Sequence, residues 1–343
     1  MDKKYEILMD TEKIVEGRTL HRIKALKDFD FIKKGDIGGW IETESNLSQF
    51  GDCFINEEAC VYENAHVYGN AYIYGKARIS GNAHVYGNAV IHNNAYICGN
   101  ARIYEYAHIY GDAHVYLKAC VRGFAQIYGN TFIYGSANIY GNAHVSEEAH
   151  VYGNAHVYDN AYVCGNACVY GISFIYGRAR ILDRVSIYDN ATVRDNAIIS
   201  GDAHVYKNAT VSEDMFISGS TNVTTNLSEN LKENIRCQTG CGVFNNKVIA
   251  YKQVNKDLTS FYNASFKYAV GETIEAAIKE EDLDKEKACG TGLHFSNMNY
   301  WNNNEGVEST TFLMAEIDLD DIIAVQRGKI RCKRAKILGT YEI

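Results

Sequence analysis

Eleven histidines and ten cysteines are the side chains of this 343-residue sequence best suited to chemistry near neutral pH. Imidazole serves as general base and metal ligand, and a thiolate serves as nucleophile or zinc ligand. Eight of the histidines (His66, His84, His108, His114, His144, His150, His156 and His204) occupy one and the same place in a six-residue period. A catalytic histidine stands alone with an orienting partner, whereas these alternate with Tyr72, Arg78, Tyr96 and Arg102 at equivalent places. They read as outward-facing strand residues, which leaves no catalytic residue to name in the repeats and argues against three histidines converging on one metal. The cysteines are scattered, and Cys164/Cys168 and Cys237/Cys241 lack the C-x2-C spacing of strong zinc signatures. Reduced thiols and no cofactor are expected, with Cys237, Cys241, Cys289 and Cys332 as the set that zinc would need.

The element that positions all these residues is the repeat. An aliphatic residue recurs at every sixth position without insertion, from Ile55, Val61 and Val67 through Val205, Val211 and Ile217 to Val223, giving 29 hexads. Four residues after each comes a small side chain, nearly always alanine, as at Ala59, Ala65 and Ala71. Between them lies a Gly-Asn or Gly-Asp pair, such as Gly69-Asn70 or Gly111-Asp112, suited to left-handed backbone at a corner. Each hexad is thus one short strand and one corner. Three corners close a triangle, so about eighteen residues make a coil, and coils stacked about 4.8 Å apart make a rod of about 45 Å. Val, Ile and Ala fill its axis and leave no room there for a substrate.

The period of eighteen places Tyr116, Tyr134, Tyr152, Tyr170, Tyr188 and Tyr206 in one outer column, and Tyr68, Tyr86 and Tyr104 in another. Stacking between coils stabilises such a ladder, and tyrosine also suits a partner surface. The column is therefore the candidate protein-binding face.

The Val-Tyr-Gly-Asn-Ala-His pattern resembles the hexapeptide repeat of left-handed β-helix proteins. That resemblance implies a mainly β fold, a left-handed parallel β-helix with the section of a triangular prism, and trimeric acyltransferases are common among such proteins. The regular histidines and the absence of an extruded loop set acyltransfer behind a binding role. Residues 1–48 read as an N-terminal β cap, 49–225 as the solenoid, 226–240 as a short helix or linker, and 241–343 as a small α+β domain. The stretch Gly17-Arg-Thr-Leu-His-Arg-Ile to Gly35-Asp-Ile-Gly-Gly-Trp-Ile resembles the start of bacterial and phage β-solenoid proteins, which implies a phage or prophage product. Tyr251-Lys, Tyr268-Ala-Val-Gly-Glu-Thr and Cys289-Gly-Thr-Gly-Leu-His together resemble a C-terminal domain common in phage proteins, whose role is unassigned.

Within it, Gly290-Thr-Gly-Leu-His-Phe-Ser-Asn-Met298 is similar to a segment of poly(ADP-ribose) polymerases, followed in both by a strand, here containing Met314-Ala-Glu-Ile-Asp-Leu. The resemblance implies either ADP-ribosyl transfer or binding of NAD or a derivative, with Tyr251, Gly292, His294 and Ser296 as the nucleotide-binding candidates. Tyr251 stands in place of the His-Gly that clamps NAD in those enzymes, His294 in place of their stacking tyrosine, and Glu342 is the late acid. The basic run Lys329, Arg331, Lys333, Arg334 and Lys336 reads as a solvated or edge-protecting strand face, with phosphate binding as the alternative.

A net charge of −8 gives no support to nucleic-acid binding, and no apolar stretch reaches membrane-spanning length. The N-terminus shows no apolar signal core, so the cytoplasm, that of the host for a phage product, is the expected location. These features lead to a non-enzymatic scaffold that offers its tyrosine column and C-terminal domain to a protein partner, a host factor or defence component. Nucleotide binding is the alternative, and the flat prism faces suit a homo-oligomer, trimer or dimer.

Overall fold

The computed structural model describes residues 3–283, 290–302 and 311–342. The protein is mainly β, a parallel β-solenoid of about ten turns with a small C-terminal domain of antiparallel sheets. It divides into two compact units, Met1–Arg194 and Asp195–Ile343.

The first unit opens on an antiparallel ribbon, Tyr5–Val15 with Arg18–Ala25. A third strand, Ile37–Ile41, pairs antiparallel with the ribbon and parallel with the first coils through Trp40 opposite Cys60 and Ile41 opposite Val61. It thereby covers strand groups that would otherwise template association. Two glycines permit the contact: a Cβ on Gly38 would lie 2.6 Å from the Ile55 carbonyl oxygen, and one on Gly39 2.6 Å from that of Ala59. Lys4 clasps the ribbon to the solenoid, its buried ammonium donating to the carbonyls of Cys53 at 2.7 Å and Gly51 at 3.1 Å.

From Phe54–Ile55 to Thr192–Val193 every hexad supplies a two-residue strand. Partners lie eighteen residues apart, as in His66 with His84, Tyr72 with Val90 and Arg78 with Tyr96, so three parallel sheets form the three faces. From His66 onward the first strand residue is partly or fully exposed, whereas Phe54 and Cys60 are buried. The second, an Ile or Val, is fully buried with the alanines, each aliphatic adding about 1.5–3 kcal/mol. The phase of six holds because every coil donates the same backbone bonds to the next, for example His66 N to Ala83 O at 2.9 Å and Tyr68 N to Val85 O at 3.0 Å.

The corners hold a feature the sequence reading passed over. Several left-handed corner positions carry an acid instead of glycine, among them Glu57, Glu63, Glu105, Glu147 and Asp159. Each is followed eighteen residues later by a glycine whose amide donates to that acid, as Gly75 N does to Glu57 at 2.8 Å, Gly123 N to Glu105 at 2.8 Å and Gly165 N to Glu147 at 2.8 Å. The carboxylate satisfies an amide at the corner, where no strand partner is at hand.

Tyrosine rings stack as the spacing requires. Tyr116, Tyr134, Tyr152, Tyr170 and Tyr188 follow one another at 4.7–5.0 Å between centroids, tilted by 8° or less. Burial against neighbouring rungs pushes the Tyr152 hydroxyl up to about 12. Changing Tyr152 to serine removes two ring contacts and is expected to cost the solenoid about 1–3 kcal/mol, read as a lower thermal midpoint. Burial also lowers His66, His108, His114 and His156 below the usual imidazole value. The unfolded chain therefore binds protons first as pH falls, so their share of stability is complete above about pH 6.5 and is lost in acid. Thermal midpoints measured from pH 7.5 to 5 should decline, and less so in a variant with these four changed to asparagine.

The second unit begins with short strands in the same phase, in which Ile198 pairs with Phe216 and His204 with Asn222. The segment read as a helix or linker is the helix Leu231–Thr239, capped by the Asn230 side chain on Glu233 N and closed by left-handed Gly240. It is bonded on both sides: Gln238 accepts from Phe216 N at 3.1 Å and donates to the Val325 carbonyl at 2.7 Å. Gln326 reaches Glu213 at 2.7 Å and Arg327 reaches Asp214 at 2.8 Å. The rest comprises a five-stranded antiparallel sheet, built on Lys247–Val254, Thr311–Asp318 and Arg334–Glu342, and a three-stranded one of Leu293–Phe295, Lys329–Cys332 and Ile322–Gln326. Residues around Glu280–Asp282 form a single 3-10 turn within the stretch read as a charged helix or loop. Among the described residues no helix is long and apolar enough to cross a membrane.

Candidate functional site

Lys247–Val254 carries the decisive residue. Val248, Ala250 and Val254 face the core in strict alternation, and Lys252 occupies the same phase, only 4% exposed. Among the described residues its ammonium makes a single long hydrogen bond, 3.4 Å to the His294 carbonyl, and lies 5.2 Å from the centre of the Trp301 ring and 6.0 Å from that of Tyr262. No carboxylate pairs with it among the described residues. Burial, with the Lys329 ammonium nearby, pulls Lys252 down to about 8.

Lys252 opens onto a cavity of about 880 Å³, within the usual range for small-molecule sites. Tyr262, Phe266, Tyr268, Tyr300 and Trp301 supply aromatic surface, Lys252, Lys329 and His294 the basic groups, and Glu275 the carboxylate of the lining. The indole is fixed by its Nε1–H, which donates to the Tyr251 carbonyl at 2.7 Å. His294 has a buried Nε2 without a hydrogen-bond partner among the described residues. Burial, then the charges of Lys252, Lys329 and Arg331, holds this imidazole down at about 4, so it is neutral at pH 7.

The four residues read from the sequence as nucleotide ligands divide into two pairs. Gly292 and His294 line the cavity, whereas Tyr251 and Ser296 do not. Tyr251 and Ser296 exchange backbone hydrogen bonds at 2.6 and 2.8 Å, joining the two sheets, and the buried Ser296 hydroxyl donates to the Gly328 carbonyl. Glu342 is exposed, opposite Thr311, and is not part of the lining.

No curated protein matches the chain. Two family models do match, each over a minor part of it. Residues 248–343 match a domain of unknown function, DUF7666, and residues 77–93 match the YdcK β-solenoid repeat. The first match spans the pocket strands and the second lies within the coils.

The Gly290-Thr-Gly turn has a local cause. A Cβ on Gly290 would sit 2.6 Å from Arg331 Nη1, and Gly292 adopts φ +143° with Arg331 Cγ 3.1 Å from such an atom. Thr291 is pinned by Asp282, which accepts from its amide at 2.9 Å and its hydroxyl at 2.8 Å. The backbone is thereby pressed against Arg331, which corrects the reading of the basic run as a solvated face: Arg331 is 1% exposed and donates to the Asp282 carbonyl. Lys329 lies at the cavity, while Lys333, Arg334 and Lys336 are exposed. Arg334 pairs with Asp321 at 2.8 Å.

The cysteines read as one potential zinc set do not gather among the described residues. Cys237 lies against the Asn222 carbonyl and Glu233, Cys241 and Cys332 are in the domain core, and Cys289 falls outside the described residues. No group of three or more metal-binding side chains occurs among the residues described.

Proposed function

We propose that the C-terminal domain binds a small molecule that combines a planar ring with an anionic group, of the nucleotide class, and that the solenoid is its carrier. The observation that carries this reading is Lys252, an almost fully buried ammonium at a cavity wall that no carboxylate pairs with among the described residues. A buried charge without a partner costs several kcal/mol, and a phosphate would supply the partner that the described residues do not. The flanking rings of Tyr262 and Trp301 offer faces for a base or nicotinamide to stack on. Binding rather than group transfer is the reading supported by the lining, since the late acid Glu342 is exposed away from it.

The tyrosine column supports a structural role first. Its interior rungs spend both ring faces on each other, which leaves edges and hydroxyls for a protein partner.

Calorimetry on the full chain with AMP, ADP-ribose and NAD tests the proposal. Saturable 1:1 binding of at least one is expected, with adenosine and inorganic phosphate each weaker than AMP. No heat with any nucleotide, or adenosine binding as tightly as AMP, would remove it.

A further inference from the structure

One histidine pair of the solenoid differs from the many. His92 and His108 lie on neighbouring columns of the outer surface, sixteen residues apart, with their Nε2 atoms 2.8 Å from each other. Their orientation is set from several sides. His92 is sandwiched between Tyr74, at 4.7 Å and 9°, and Tyr110, at 5.1 Å and 1°, so its ring cannot turn without breaking two stacks. His108 leans on Tyr110 at 4.7 Å. The Nδ1–H of His92 donates to the Asn93 side-chain oxygen at 2.9 Å, which leaves the Nε2 lone pair free to accept. The single proton between the two rings then belongs to His108.

We propose that His92 and His108 form a bidentate site for a borderline divalent cation, Cu(II) or Ni(II), which displaces the proton shared by the two Nε2 atoms and binds both nitrogens from beside the line that joins them. That proton moves through solvent to Nδ1 of His108, and both imidazoles remain neutral ligands. With metal–nitrogen bonds of about 2.0–2.1 Å, a separation of 2.8 Å subtends an angle of about 85–90° at the metal. This is the angle between adjacent ligands of a square-planar or octahedral ion, whereas tetrahedral zinc needs the nitrogens about 3.3 Å apart. Among the described residues no third histidine, cysteine or carboxylate completes a cluster, so water fills the remaining positions. The Asn93 oxygen on Nδ1 and the stacked tyrosines supply the outer-shell support that metal-bound histidines use.

Other histidine pairs provide the control. His66 and His84 are likewise neighbours, but their rings stack nearly parallel with centroids 6.3 Å apart and share no direct contact between nitrogens. The full chain is titrated with Ni(II) by calorimetry and with Cu(II) by electron paramagnetic resonance. One tight equivalent is expected, with coupling to two nitrogens in the Cu(II) spectrum, and Zn(II) bound more weakly. His92→Asn and His108→Asn should each remove it, His66→Asn should not, and Asn93→Ala should weaken it about tenfold. Circular dichroism confirms that each variant keeps its sheet content. Survival of the tightest equivalent in either His92→Asn or His108→Asn, or equal loss in His66→Asn, overturns the assignment.

Discussion

Changing Lys252 to methionine should stabilise the ligand-free protein and abolish nucleotide binding at once. The two effects have a common origin in the cost of keeping an ammonium in the wall of an apolar strand position. Lys252 continues the Val248, Ala250, Val254 phase, is 4% exposed, and is lowered to about 8 by burial and by Lys329. The unfolded chain binds that proton up to about pH 10.4, so between pH 8 and 10 the folded state gains stability as pH rises, and below pH 8 it bears the full penalty. Methionine has similar length and no charge, and its thioether packs well against Tyr262 and Trp301. Removing the penalty is worth on the order of 1–3 kcal/mol at pH 7, seen as a higher denaturation midpoint with unchanged denaturant slope. A lower midpoint would mean that the ammonium has a partner, and retained AMP binding would mean that the anion sits elsewhere.

How much of this was open to reading from the sequence differs along the chain. The solenoid was legible because its signal is periodic: an inward aliphatic at every sixth residue admits one winding, and the Tyr116 to Tyr188 column follows by arithmetic. The C-terminal domain was legible as strands, since Thr311–Asp318 and Lys247–Val254 alternate in the ordinary way. Its site was read only in part. The motif led to Gly292 and His294, which do line the cavity, but also to Tyr251 and Ser296, whose polar groups are consumed in joining two sheets. Lys252 does leave a signal in the sequence, a lysine in the apolar phase of an alternating strand, but the same pattern fits a long side chain that reaches solvent, and only the packing shows its ammonium buried. Arg331 could not be placed from the sequence, since a strand buried on both faces gives a basic residue no alternation to betray it. The aromatic walls come from distant segments, Tyr262 to Tyr268 and Tyr300-Trp301, which only the tertiary fold brings together.

The acid-to-glycine relation at the corners makes a sharper demand on the solenoid than its core does. Gly123 has φ +72°, and a Cβ there would lie 2.8 Å from both the nitrogen and the oxygen of Gly141 in the next coil. Alanine must therefore meet two costs, the left-handed backbone at about 1–2 kcal/mol and a clash with backbone that three sheets hold in place. Gly123→Ala is expected to destabilise the solenoid by about 2–4 kcal/mol, measured by chemical denaturation. Leu117, at φ +59° and 52% exposed, bears the left-handed cost with no acid to offer the next amide. Leu117→Gly should therefore stabilise by up to about 1 kcal/mol despite the greater flexibility of glycine when unfolded. Glu105→Ala keeps the strain and loses the bond to Gly123 N, so it should cost about 1–2 kcal/mol. The ordering matters more than any single value, because each coil touches only its neighbours and a repeat array adds such terms locally. If Glu105→Ala were as harmless as Leu117→Gly, the corner carboxylates would be solvated ornaments, and the bonds from coil to coil would reside in the strands alone.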